Sequence, residues 1–205
     1  MNTPDSLASK WLDRASSDHT IVFLLDALKQ NNCPTGPLSS LVKNTTCGPD
    51  RAGGFAMNVT SIESSTLDKS SQNYGGKKTS SAPKPTIVIC QNNIYDYPDY
   101  LRTLSHELIH SIDQCRAKAD WSNLKHHACS EIRASNLSGE CGYGVELLRG
   151  NMKHRGGHID CVMRRANLSL KANPNENGEG EEVIKEVFPQ CYADLYPFMR
   201  HPGSN

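Results

Sequence analysis

His106-Glu107-Leu108-Ile109-His110 is the stretch on which the reading of this chain turns. Two histidines four residues apart lie on one face of a helix, close enough for their ring nitrogens to share one metal ion. A carboxylate next to the first histidine then stands beside the open coordination position. There Glu107 can take a proton from water acidified by the metal and pass it to a leaving amine. The stretch fits the H-E-x-x-H pattern of zinc hydrolases, with His106 and His110 as ligands and Glu107 as the catalytic base.

A pattern this short also arises by accident on surface helices, so the flanks decide. Upstream, Pro83-Lys84-Pro85-Thr86-Ile87-Val88-Ile89-Cys90 contains a β-branched run that ends in turn-prone Gln91-Asn92-Asn93 and predicts a strand. Tyr95, Pro98, Leu101, Leu104, Leu108 and Ile112 follow at helical spacing, which puts the motif on a long helix. A strand leading into the metal helix is the setting this chemistry needs. A substrate strand is expected to pair with an exposed edge at Thr86 to Cys90.

Downstream, Asp120-Trp121-Ser122-Asn123 supplies a turn and a cap, and a second helix is predicted from Leu124 to Leu137. Catalytic zinc takes three protein ligands plus water, so this helix must supply the third. Glu131 is the choice, because a returning helix can turn that carboxylate towards the two imidazoles. His127 is the alternative, since imidazole is an equally good ligand. Asp113 shares the face of His106 and His110 but sits too far along the helix to reach the ion, and is assigned to hydrogen bonding around the ligands. His19, His126, His154, His158 and His201 are read as surface or capping residues; Gly156-Gly157 argues against a second helical pair at 154 and 158. Arg133, Tyr143 and His154 are the candidates for stabilising an oxyanion.

Elsewhere, Trp11, Ile21, Leu24, Leu25 and Leu28 mark two helices broken near Ser16-Ser17-Asp18. Gly53-Gly54 precedes a first strand at residues 55–60, and residues 64–83, rich in Ser, Lys and Gly, are read as a mobile loop. Two strands and a metal helix predict an α+β, zincin-like fold, a small sheet packed on the active-site helix and followed by a mainly helical C-terminal part. The expected division is a helical segment over residues 1–30, one metallopeptidase domain over 31–195 and a tail over 196–205.

With 22 basic and 22 acidic side chains the net charge is zero, which gives no attraction for nucleic acid. The apolar run Ile21-Val22-Phe23-Leu24-Leu25 is too short to span a bilayer, so any membrane association is expected to be peripheral. Eight cysteines, at 33, 47, 90, 115, 129, 141, 161 and 191, form no C-x-x-C pair and suggest disulfides, with buried free thiols as the alternative. Cys33/Cys47 and Cys115/Cys129, each with thirteen residues between, suit stapling of adjacent segments, although spacing cannot choose among the possible pairings. The N-terminus has neither the basic-then-apolar order of a secretory signal nor the acid-poor composition of a transit peptide. The N-x-S/T sites at Asn44, Asn58, Asn136 and Asn167 would therefore matter only if the chain entered the secretory pathway. Cysteine-rich and unsignalled together suggest import by oxidative trapping, or reduced thiols in the cytosol.

Several linked motifs go further than the central one. Cys90-Gln91-Asn92-Asn93-Ile94, Leu104 to His110, Asp113-x-Cys115-Arg116, Asp120-Trp121-x-Asn123, His127-x-Cys129-Ser130-Glu131-Ile132-Arg133 and Asn136-Leu137-Ser138-Gly139 together resemble the mitochondrial inner membrane metalloproteases that process an ATP synthase subunit. The resemblance runs over residues 30–195. It implies a zinc metallopeptidase with one Zn2+ per chain, held in the intermembrane space at the inner membrane. It further implies maturation of the ATP synthase subunit a precursor, a chaperone-like part in assembling the membrane Fo sector, and oxidative import. Two other classes stay open at this point: an assembly chaperone that carries the site without depending on catalysis, and a disulfide-stapled binding module with a structural metal.

Overall fold

The computed structural model describes residues 4–49, 51–57 and 85–203. The architecture is α+β: among the described residues, three strands and a short 3-10 turn accompany eight helices. The first two helices, α1 (Pro4–Ala15) and α2 (His19–Gln30), break where the sequence indicates, because Asp18 caps α2 by accepting from the Thr20 and Ile21 amides. A single-turn helix, α3 (Leu38–Leu41), runs into β1 (Val42–Thr45), which is followed by β2 (Gly53–Met57) and β3 (Pro85–Cys90).

Strand order is β1-β3-β2, with β1 parallel and β2 antiparallel to β3. Three expectations are corrected here. β1 is an additional strand that precedes the one expected to be first; that strand is β2, which starts earlier and spans Gly53–Met57, while 58–60 lie outside the described residues, as do the loop expected at 64–83 and Asn58. The segment Thr86 to Cys90 is also not an edge. β3 is hydrogen-bonded on both sides, through Val42 opposite Ile87 and Gly53 opposite Ile89, so it cannot accept a substrate strand.

Next comes α4 (Tyr97–Ala117), which carries the central motif. Asp96 caps it by accepting from the Asp99 amide, Pro98 sits in its first turn, and Lys118 ends it in a left-handed conformation. Tyr100, Leu104, Leu108, Ile109 and Ile112 are buried against Ile87 and Ile89 of β3, Leu24 and Leu28 of α2, and Leu41. Each such aliphatic side chain contributes about 1.5–3 kcal/mol on burial. That packing fixes the opposite face of α4 towards α5 (Leu124–Leu137), whose N-cap Asn123 accepts from the Lys125 and His126 amides.

The last three helices are α6 (Tyr143–Leu148), α7 (Gly157–Leu170) and α8 (Gly180–Ala193). α7 and α8 build a second apolar cluster in which Ala128 and Ile132 of α5 meet Val162, Ala166, Leu170 and Ile184. Ala134 and Leu137 of the same helix belong to the first cluster, so α5 joins the two cores.

All eight cysteines are paired: Cys33–Cys115, Cys47–Cys90, Cys129–Cys191 and Cys141–Cys161. Neither thirteen-residue staple forms. Cys33, just past α2, instead meets Cys115 on α4, and Cys129 on α5 meets Cys191 on α8, so the bridges link packed segments and not sequence neighbours. Asn136 is buried and donates to the Tyr192 carbonyl, which leaves no room for a glycan. Among the described residues no helix is long and apolar enough to cross a membrane.

Candidate active site

Three side chains converge between α4 and α5. His106 Nε2 and His110 Nε2 face each other at 3.0 Å, and Glu131 places Oε2 3.4 Å from the first and Oε1 3.4 Å from the second. One ligand atom from each of the three lies within 4.8 Å of the others. Glu131 Oε2 is buried and makes no hydrogen bond. Buried carboxylate oxygens are ordinarily satisfied, so an unbonded one beside two facing imidazole nitrogens matches the donor set that a small divalent cation takes. The residues present fit a metal.

The far side of each ring explains why Nε2 is the atom offered. His106 Nδ1 donates to Glu140 Oε1 at 3.0 Å, and Glu140 is held in turn by Arg165 through a contact of 3.0 Å from Nε to Oε2. His110 Nδ1 lies 2.8 Å from Ser130 Oγ, whose own proton goes to Asp113 Oδ2 at 3.0 Å, so the serine oxygen accepts from the ring. Hydrogen-bonding each Nδ1 in this way fixes both tautomer and ring orientation. Asp113 lies two hydrogen bonds away from the His110 ring, and its carboxylate is anchored by Arg133 Nε at 2.9 Å.

His127 stands close without joining the cluster. The Asn173 amide orientation is settled because Nδ2 donates to the Trp121 carbonyl while Oδ1 accepts from the Asn175 amide. Nδ2 also donates to His127 Nδ1 at 2.8 Å, which makes that nitrogen the acceptor. The proton of His127 is then on Nε2, 3.4 Å from Glu131 Oε1, where it orients the carboxylate.

Burial opposes charge on His106, but the Glu140 and Glu131 carboxylates outweigh it and hold the imidazole well above its ordinary range. Burial likewise acts against ionisation of Glu131, yet His110, His106 and His127 keep it well below the usual carboxylate range. Glu107 differs. Burial dominates there and raises its carboxyl despite the opposing effect of His106 and His110. Its Oε1 packs so tightly on β2 that a Cβ at Gly53 would stand 2.9 Å away.

Of the three oxyanion candidates, Arg133 is buried and engaged by Asp113, by the Asp194 carbonyl and by the Tyr196 carbonyl at 2.5 Å, so it straps the C-terminal segment to α4 and α5 instead. Tyr143 and His154 pack edge-on against each other, with ring centroids 5.1 Å apart, at the exposed end of α6. Sequence reasoning missed Glu140, Ser130 and Asn173. Ser130 adjoins Glu131, whereas Glu140 and Asn173 lie beyond α5 and carry no spacing signal. Trp121 was read only as part of a turn; its ring lies 5.6 Å from His110 and 5.8 Å from Phe55, forming an aromatic wall beside the cluster.

The chain is similar in sequence to several mitochondrial proteases. The "Mitochondrial inner membrane protease atp23" of Schizosaccharomyces pombe is 37% identical over 188 residues, 90% of this chain and 86% of the relative. The protein of the same name from Mycosarcoma maydis is 41% identical over 155 residues, 74% of this chain and 63% of the relative. That from Eremothecium gossypii is 48% identical over 120 residues, 57% of this chain and 49% of the relative, so the matched region is only about half of some of these longer proteins. No solved structure matches. The Peptidase M76 family model covers residues 7–199, and the chain belongs to the Peptidase M76 family.

Proposed function

We propose that the protein is a zinc-dependent metalloendopeptidase of zincin-like architecture, working in the mitochondrial intermembrane space on the surface of the inner membrane. Its substrate is the ATP synthase subunit a precursor, and it assists assembly of the membrane Fo sector. The observation that carries the peptidase reading is the convergence of His106 Nε2, His110 Nε2 and the unbonded Glu131 Oε2 beside a buried Glu107. The names of the relatives support the location, and the resemblance supports the substrate.

His106, His110 and Glu131 would hold one Zn2+, with His127 orienting Glu131. Bound there, the ion would acidify water and polarise the scissile carbonyl. Glu107 takes the proton of the attacking water on a carboxylate oxygen and delivers it to the nitrogen of the leaving strand, so the amine departs neutral. Its raised affinity for a proton favours the first transfer, and burial keeps bulk water from intercepting it. An extended substrate lies along β2, the strand that Gly53 brings against Glu107, with an apolar side chain on the Phe55–Trp121 wall.

Replacing Glu107 with Gln keeps shape and removes the base. Zinc-loaded Glu107→Gln is expected to bind metal as the wild type does and to lose hydrolysis by about 10²–10⁴-fold. Undiminished cleavage by that variant would exclude the mechanism. Fo assembly in cells that carry it would show whether catalysis is needed for the second role.

A further inference from the structure

From the end of α6 to the start of α7 ten consecutive residues, 147–156, are exposed. Leu148 and Met152 are 90% and 77% exposed, and Leu147 and Tyr143 beside them 46% and 52%. Side chains this exposed project from the surface and do not line a groove. The same ten residues contain Arg149, Lys153 and Arg155 and no acidic residue, in a chain whose net charge is zero. Arg164 and Arg165 follow on α7.

The segment is held from beneath. Cys141–Cys161 closes its base, and buried Glu146 accepts from Arg149 Nη1 at 3.0 Å, Asn151 Nδ2 at 2.9 Å and Arg164 Nη2 at 2.7 Å. Gly150, at a φ of 84°, turns the chain after α6. Tyr143 and His154 pack across the tip. Lys153 pairs with Asp160, but both are exposed, and such pairs contribute little. Arg155 has no ion pair among the described residues.

We propose that residues 147–156 are the surface by which the protein docks on a membrane containing anionic phospholipid, Leu148 and Met152 entering between headgroups and Lys153 and Arg155 meeting phosphates. Projecting apolar side chains in the same short segment as exposed Lys153 and Arg155 suit a lipid surface better than an acidic protein, which would satisfy the charges and leave Leu148 in water. The proposal names the contact for the membrane location proposed above and rests on it.

The test is flotation of the full chain with vesicles of phosphatidylcholine alone or mixed with phosphatidylglycerol. The wild type is expected to float with the mixed vesicles and to be released by salt. Leu148→Asp/Met152→Asp and Lys153→Glu/Arg155→Glu should each bind about tenfold more weakly or worse, with circular dichroism unchanged. Wild type that floats with neither vesicle, or variants that float equally well, would overturn it. So would capture by polyglutamate as tight as by mixed vesicles. Hydrolysis of a soluble peptide is read separately: a chain that floats without hydrolysing sinks only the peptidase reading, and the converse sinks only the docking surface.

Discussion

Glu140 Oε1 accepts from His106 Nδ1 at 3.0 Å, across 34 positions of sequence, and so ties the first histidine of the motif to the segment that follows α5. Its other oxygen is bound by Arg165 of α7, which makes the orientation of His106 depend on the packing of the second core.

If Glu140 sets the ring, Glu140→Gln should weaken zinc binding by about 10–100-fold without unfolding the chain, the usual cost of losing such a partner. Competition against a chromophoric chelator measures it. Unchanged affinity would make the contact incidental.

The Glu140 and Glu131 carboxylates raise the pKa of His106, so a proton competes with metal at its ring. Metal must displace it. Because the pKa of His106 is raised, the proton stays bound above pH 6.5, and zinc affinity should tighten by about tenfold per pH unit until that raised value is passed, then level off. Titration in the same chelator assay tests the slope; a flat profile from pH 6 upward would remove the proton from the site.

Gly53 has no conformational need to be glycine, but the space beside it is taken. A Cβ there would meet Glu107 Oε1 at 2.9 Å, Thr103 Cγ2 at 3.0 Å and the Val88 carbonyl at 3.1 Å. Since the carbonyl belongs to the paired strand, Glu107 must yield. Gly53→Ala is expected to cost about 1–3 kcal/mol of stability and about tenfold or more in kcat/KM, with zinc content intact. Full activity would show that Glu107 has room to move.

Much of this site is legible in the sequence because its parts are local. Helical spacing places α4 and, with the cap Asn123, α5, the second spanning Leu124–Leu137 as read, and Glu131 falls on the face towards the histidines. What the sequence does not convey is non-local. β1 is only Val-Lys-Asn-Thr, with one apolar residue, and is a strand because Val88 and its neighbours pair with it. The alternation in β3 looks the same at an edge or a centre, so its position waited on partners before and after it. The disulfides join cysteines 82, 43, 62 and 20 residues apart, separations that only the packing selects.

The most direct test is the zinc content of the oxidised, purified chain after adventitious metal is removed, measured for wild type, Glu131→Gln and His127→Ala. One zinc per wild-type chain, lost in Glu131→Gln and retained, with somewhat lower affinity, in His127→Ala, is the predicted result. A folded wild type without bound zinc, or zinc that survives Glu131→Gln and leaves with His127→Ala, would contradict the assigned site.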